Sequence, residues 1–244
     1  MKSFKCTLIA FSAFLLINFP AFASDADDIA NIVQTGSNGT ATIDQTESPG
    51  HQNIAQVSQR AGSLNEAAHI TQSGNGNNNA TVIMTGDNDI GNLSQLGYMD
   101  TAMIMLSGSS HNSSTIFQDA TTDSNEANIH ESGFSNTTSI TQSGQNQQAV
   151  ISQSGSINNA TITQENSSSN NNSTILQTGS FNIAAIDQPG ISNTALISQN
   201  GLSNTTSIVQ NGNSNYANVD QAGTLKLAQL TQTGNGNSAV MIQH

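Results

Sequence analysis

The chain has no tryptophan, one cysteine, three prolines and only four lysines and arginines together. Aromatic residues make up 4% and charged residues 8%. Apolar residues reach 34%, well short of the roughly one half usual in a globular domain, so a thick core is excluded. The low charge removes the usual driver of disorder. A lone cysteine cannot build a disulfide framework. With 16 acids, the chain is unsuited to nucleic acid or an anionic membrane surface. The histidines, His51, His69, His111, His130 and His244, lack metal-ligand spacing, and none adjoins a cysteine. Serines have no positioned histidine and acid, and Gly74-Asn75-Gly76 opens no helix. No catalytic residue, metal or cofactor is expected, and the chain does not read as an enzyme.

The first residues read as a secretory signal. Lys2 and Lys5 precede an apolar stretch from Thr7 to Phe19, Pro20 breaks it, and Ala21-Phe22-Ala23 supplies small residues two apart. Cleavage is expected after Ala23, dividing the chain into a signal (1–23) and a repeat domain (24–244). The apolar stretch is too short to cross a bilayer, so no membrane span is expected. Cys6 and both lysines leave with the signal. Arg60 and Lys226 then face 16 acids, a net charge of −14.

What is abundant is Asn, Gln, Ser, Thr, Gly, Ala and Ile, and these recur in register. An Ala-x-Ile-x-Gln unit can be placed 19 times, its last position falling at residues 34, 45, 59, 72, 84, 95, 106, 118, 131, 142, 153, 164, 177, 188, 199, 210, 221, 232 and 243. Two residues earlier the side chain is always apolar, most often Ile. Four earlier it is always small, and six earlier it is most often Asn. A spacing of two is the strand period, and β-branched residues suit a pleated strand. Gly follows two residues after most anchors, where a turn needs positive φ. Glu47, Ala61, Ala120 and Asn166 replace it where the interval to the next anchor is longer. Each unit is thus a strand of about seven residues and a turn of about four. None of the three prolines (Pro20, Pro49 and Pro189) falls inside a repeat strand.

These units predict an all-β solenoid with two strands per coil and two stacked parallel sheets. One strand cannot bury its apolar face alone, and stacking on equivalent strands about 4.8 Å away does so. Inward amides should bond to the amides above and below. The expected ladder comprises Gln34, Gln45, Gln142, Gln153, Gln164, Gln177, Gln188, Gln199, Gln210, Gln221, Gln232 and Gln243. It also includes Asn136, Asn158, Asn182, Asn193, Asn204 and Asn215. Asn136-Thr137-Thr138 and Asn204-Thr205-Thr206 match a glycosylation sequon, but their Asn side chains are expected to point inward. Met84, Leu106 and Glu131 are the register exceptions; with two strands per coil they lie above one another in one sheet. The plain expectation for Glu131 is a solvent-facing carboxylate at a strand end. The sharper one is a semi-buried weak point that slows assembly. Other acids are expected on turns and outward positions. The first strand, near Asp28 to Gln34, and the last, near Asn237 to Gln243, are expected to be uncovered edges.

The pattern Gln-x-Gly-x-x-Asn-x-Ala-x-x-x-Gln resembles the curlin repeat of bacterial curli fibres. Gln153-Ser154-Gly155-Ser156-Ile157-Asn158-Asn159-Ala160-Thr161-Ile162-Thr163-Gln164 carries it at every fixed position, as do the stretches starting at Gln177, Gln188 and Gln210. The resemblance runs from residue 28 to 243. It implies a secreted subunit that crosses the periplasm and polymerises into an amyloid-like, pilus-type surface fibre for adhesion and biofilm matrix. It also implies as partners other copies of the chain, a nucleator or major curlin subunit, and outer-membrane export machinery. Major and nucleating types are not separated by these residues. The competing reading is a monomeric secreted solenoid that binds a ligand or ice. That needs a flat outward face of Thr-x-Thr, which only Thr161 to Thr163 supplies.

Overall fold

The computed structural model describes residues 2–9, 15–20, 28–47, 51–60, 62–74, 76–119 and 124–244. The expected cleavage site after Ala23, the loop containing Pro49, and Ala61 and Ala120 lie outside them. The strands alternate between two sheets. They are β1 (Lys2–Ile9), β2 (Leu15–Pro20), β3 (Ile29–Gln34), β4 (Thr40–Glu47), β5 (Ile54–Gln59), β6 (Ala67–Gly74) and β7 (Asn79–Asp87). Next come β8 (Ile90–Gln95), β9 (Thr101–Ser110), β10 (Ser113–Gln118), β11 (Glu126–Phe134), β12 (Thr137–Gln145), β13 (Gln148–Ser156) and β14 (Asn159–Ser169). The series closes with β15 (Asn172–Ser180), β16 (Ile183–Asp187), β17 (Thr194–Leu202), β18 (Thr205–Asn211), β19 (Tyr216–Thr224), β20 (Leu227–Thr233) and β21 (Ser238–Gln243).

One sheet runs β1-β4-β6 and on through the even strands to β20. The other runs β2-β3-β5 and on through the odd strands to β21. From β3 onward every pairing is parallel and joins a strand to the one two places along, as in β13 with β15 and β12 with β14. This is a β-solenoid with two strands per coil, as the repeat register predicts. Met84 pairs with Leu106, and Leu106 with Glu131, in one column of one sheet.

The core is thin because the sequence offers it only two inward apolar positions per strand. The Ile column (Ile104, Ile129, Ile151, Ile175 and Ile197) is buried, as is the Ala column beside it. The second column must be small because the facing sheet is close: a Cβ placed on Gly91 would lie 2.9 Å from Val82 Cγ1. Each buried Ile contributes about 2 kcal/mol, offset by the ordering of the strand that carries it.

The corners are tighter than a four-residue turn. β13 runs through Gly155 to Ser156, and β14 starts three residues later at Asn159. Ladder bonding continues past the glutamine because corner residues of successive coils stack in register, Gly155 on Gly179 and Gly179 on Gly201. Most corners of the regular part hold two left-handed residues. The first is the repeat glycine, such as Gly155 at φ 120° and Gly179 at φ 110°. A Cβ on Gly155 would also overlap the Gly179 carbonyl oxygen, so close approach and positive φ both require glycine here. The second comes just before the inward clamp position and is seldom glycine: Asn146, Ile157, Phe181 and Leu225 all have φ between 52° and 57°. No repeat in the sequence marks it, since only the backbone is constant there.

The N-terminal edge departs from expectation. β2 pairs antiparallel with β3, Leu15 opposite Gln34, and β1 pairs antiparallel with β4, Lys2 opposite Glu47. In the full chain the strand from Ile29 to Gln34 is therefore covered, because the apolar N-terminal stretch can itself form strands. It becomes an edge only in a chain that has lost residues 2–20. At the other end β21 pairs with β19 alone, and β20 with β18 alone.

Candidate assembly interface

The ladders run along the solenoid axis and end on β21 and β20. In the even sheet each glutamine Nε2 donates to the next Oε1: Gln45 to Gln72 at 2.9 Å, Gln72 to Gln95 at 2.8 Å, and Gln95 to Gln118 at 2.9 Å. Gln118 donates to Gln142 at 2.9 Å, Gln142 to Gln164 and Gln164 to Gln188 at 3.0 Å. Gln188 donates to Gln210 at 2.7 Å, and Gln210 to Gln232 at 2.8 Å. In the odd sheet Gln34 donates to Gln59 at 2.5 Å, and the ladder then stops at Met84, Leu106 and Glu131. It resumes from Gln153 to Gln177 at 2.5 Å, Gln199 at 2.7 Å, Gln221 at 2.9 Å and Gln243 at 2.8 Å.

The same Nε2 groups also cross the solenoid. Gln142 donates to the Glu126 carbonyl at 3.1 Å, Gln199 to Ile183 at 3.0 Å and Gln210 to Thr194 at 3.1 Å. Most ladder glutamines thus tie their coil to the next and one sheet to the other. An amide has two N–H donors, and burial makes it use both.

The asparagine columns keep part of the amide-to-amide stack that the sequence suggested, Asn158 to Asn136 at 3.3 Å and Asn182 to Asn158 at 3.1 Å, and add contacts to the backbone. Each Oδ1 mainly accepts from the backbone N–H of its counterpart one coil on: Asn136 from Asn158 and Asn158 from Asn182 at 3.0 Å, Asn193 from Asn215 at 2.9 Å. Nδ2 reaches a corner glycine carbonyl. Asn158 donates to Gly179 at 3.0 Å, Asn182 to Gly201 at 3.1 Å, Asn204 to Gly223 at 3.1 Å and Asn215 to Gly234 at 2.9 Å. Asparagine is therefore the clamp of the corner. Its shorter side chain keeps it at the backbone, where glutamine reaches the amide above.

Five acids occupy inward positions, against the expectation of turns and outer faces. Asp28, Glu66, Asp89, Asp100 and Glu131 are all buried. The aspartates stand in asparagine positions and imitate Oδ1, accepting the backbone N–H of Asn53, Asn112 and Asn125 at 2.8, 2.8 and 3.0 Å. The sequence signal was available, since each lies six residues before an anchor or on one. Glu131 does not turn to solvent; it is 0% exposed between Leu106 and Gln153. Thr138 Oγ1 donates to its Oε1 at 2.5 Å, while its Oε2 has no partner. Burial pushes its carboxyl up to about 7, opposed by the Thr138 and Ser114 hydroxyls and reinforced by Asp89. Burial likewise pushes Glu66 up to about 7, opposed first by Ser63, with Asp89 and Asp87 adding to the rise.

Among the described residues, no three His, Cys, Asp or Glu side chains converge as metal ligands. No helix among them is long and apolar enough to cross a membrane.

With the register, the glutamine ladder and the asparagine–glycine corner in place, the repeat can be compared with known families. The family model of the curlin associated repeat matches residues 133–165 and 169–201. These two stretches carry curlin repeats. No curated protein matches it. The matched curlin repeats span β11 to β17, where every anchor after Glu131 is glutamine and the odd and even ladders both run unbroken. Curlin repeats on a β-solenoid are structural modules rather than enzymatic ones.

Proposed function

We propose that the chain is the structural subunit of an extracellular, curli-like amyloid fibre. It would be secreted with loss of residues 1–23, pass through the periplasm, and serve cell adhesion and biofilm matrix. The observation that carries this reading is the open end of the solenoid. β21 and β20 each present an unpaired strand edge in the register of every strand below them. Gln243 and Gln232 receive the last ladder bonds, and Ile242 is 59% exposed. An edge with matching backbone, side-chain period and amides is a template for another copy. Loss of the N-terminal strands would expose β3 and β4 as the complementary edge, so copies would add head to tail with strands perpendicular to the fibre. The ladder glutamines and asparagines would then carry assembly between copies as they do within one. Partners of the same repeat type (a nucleator or a major subunit) would use the same edges, and outer-membrane export machinery would deliver the chain.

The test is incubation of purified residues 24–244, followed by thioflavin fluorescence and fibre diffraction. The expected result is a sigmoidal rise and a reflection at about 4.7–4.8 Å. A chain that stays monomeric for days without that reflection would defeat the reading and favour a monomeric ligand-binding solenoid. Met241→Lys, which puts a charge on the inward face of β21, should slow growth at that end.

A further inference from the structure

We propose that Glu131 is held as a neutral carboxylic acid whose proton closes the gap in the odd-sheet ladder by donating to Gln153, so that the coil between the two halves loosens when that proton leaves. The argument starts from two orphaned atoms. Glu131 and Gln153 are neighbours in register. Glu131 Oε2 and Gln153 Oε1 are both buried without a hydrogen-bond partner. At every step where glutamine follows glutamine, the earlier residue donates through Nε2 to the later Oε1. Gln153 is the residue whose incoming donor is missing because a glutamate stands below it. A glutamate has a donor only when protonated. Its other oxygen is already an acceptor for Thr138, which leaves Oε2 as the hydroxyl. A carboxylate here would set a lone pair against the Gln153 carbonyl oxygen and bury an uncompensated charge.

Burial favours the acid form, and the two hydroxyls that face the carboxyl oppose it only in part. β9 contributes Leu106, β13 contributes Gln153, and across the solenoid β12 and β10 contribute the hydroxyls of Thr138 and Ser114. The charged group acting on the carboxyl is Asp89, ahead of β8, and it repels. Proton loss leaves a charge on the inner face of β11, at the point where the unbroken odd-sheet ladder begins.

The test is backbone hydrogen exchange of the purified chain across pH 5 to 9, corrected for the intrinsic pH dependence of exchange. Residues 126–156 should lose about a hundredfold in protection between pH 5 and pH 8.5, while residues 194–233 change far less. Glu131→Gln supplies the amide donor and should flatten the profile of 126–156. Glu131→Gln with Gln153→Met removes the acceptor and should forfeit much of that gain at all pH values. A second readout is the infrared carboxyl band of isotope-labelled glutamate at pH 6, part of which should vanish in Glu131→Gln. A flat wild-type profile, or an unchanged slope in Glu131→Gln, would overturn the proposal.

A second proposal rests on an apolar ridge along one corner. Phe134, Ile157, Phe181, Leu202 and Leu225 occupy that corner in five successive coils and are 44–77% exposed. Two neighbouring pairs bond backbone to backbone, Ile157 N–H on the Phe134 carbonyl at 2.9 Å and Leu225 N–H on Leu202 at 2.9 Å, while Phe181 N–H bonds Ser156, the residue before Ile157. Ile157, Phe181 and Leu225 hold left-handed backbone at φ 57°, 57° and 54°, where bulky residues are disfavoured and Asn or Gly is preferred. The opposite corner of the same coils carries Gln145, Asn146, Asn170, Asn213 and Asn235, with Ile191 as its one large apolar residue. We infer that the ridge is a lateral contact with a second copy of this chain. Two strongly acidic chains repel except where acids are absent. Residues 132–136, 154–158, 178–182, 200–204 and 222–226 contain none, and Lys226 is their single charge. The five side chains offer about 500 Å² per copy, or about 1,000 Å² for a pair, the lower limit of a specific interface.

This inference rests on the fibre reading only for its scale. Ile157→Asn with Phe181→Asn places a favoured residue at each left-handed position, so the fold should be retained. Wild-type fibres should appear paired in electron micrographs, and the variant should grow at the same rate as single filaments. If no fibres form, sedimentation should still show concentration-dependent pairing of the wild type and its loss in the variant. Equal widths or equal sedimentation in both chains would overturn it.

Discussion

Residues 28–131 and residues 133–243 are built from the same unit, yet they solve the same stacking problem unequally. The second part is near-ideal: glutamine on glutamine, glycine on glycine, and nearly every clamp an asparagine. The first part holds all five acids that are buried among the described residues, all three non-glutamine anchors, and three of the four longer corners. Each departure is tolerated because a coil bonds only to its neighbours. Met84 and Leu106 replace a polar ladder by apolar contact between themselves, and the even-sheet ladder passes them unbroken. The lesson is that identity along the stack matters more than the identity of any one residue. Like stacks on like, and trouble arises where unlike groups meet, as at Glu131 and Gln153.

The largest break in this comparison should come from the glycine columns. Gly179 has φ 110°, and a Cβ there would overlap the Gly201 carbonyl oxygen. Gly179→Val should destabilise the chain by about 4 kcal/mol, combining strained backbone with a forced separation of coils. Gly108→Ala, in the irregular part, meets open space and should lose only about 1 kcal/mol. Denaturant midpoints of both variants measure the contrast, and equal losses would contradict it.

Next comes the ladder. Gln177→Leu would orphan the Gln153 Nε2, the Gln199 Oε1 and the Asn159 carbonyl at once. A loss of about 3 kcal/mol is expected. Leu106→Gln, placed between Met84 and Glu131, would have no amide donor for its Oε1 and would crowd a second polar group against Glu131. It should be destabilising too, although it restores the repeat residue. A stabilised Leu106→Gln would show that the repeat residue matters more than its neighbours.

The buried glutamates give the halves different pH responses. Their carboxyls sit at about 7 in the folded chain against an ordinary 4.5. Between these values the folded state binds more protons than the unfolded one, so stability falls as pH rises from about 4.5 to 7 and levels off above. Glu66→Gln and Glu131→Gln should each add about 2–3 kcal/mol at pH 8 and almost nothing at pH 4.5. Thermal unfolding at the two pH values checks this. A gain that is independent of pH would assign the effect to shape rather than charge.

Most of this architecture was legible because it is periodic. Alternation at a spacing of two placed Ile151 and Ala149 inward, and the alignment of Met84, Leu106 and Glu131 counted the strands per coil. What stayed hidden was non-periodic or belonged to the backbone. Glu131 looked like a surface carboxylate because charge usually dictates exposure; here the register of its neighbours dictates burial. The asparagine clamp was seen as inward but not as a backbone contact, because sequence shows which side chain repeats and not what it touches. The antiparallel pairing of Lys2–Ile9 and Leu15–Pro20 breaks the repeat altogether, so no periodicity could announce it.

The smallest effect concerns the second left-handed position of each corner. Asn occupies it at residues 38, 65, 77, 88, 146 and 170, while the regular part also places Ile157, Phe181 and Leu225 there. Nothing inside the solenoid requires those three, since their side chains are exposed. Phe181→Asn should therefore stabilise a single chain by about 1 kcal/mol, through relief of the strained backbone alone. Asn146→Phe, the reverse change on the polar corner, should cost a similar amount. Denaturation at concentrations low enough to exclude association separates this local term from any contact between chains. If Phe181→Asn were destabilising under those conditions, the phenylalanine would have to be packing within its own chain, against the neighbouring coils of the ridge.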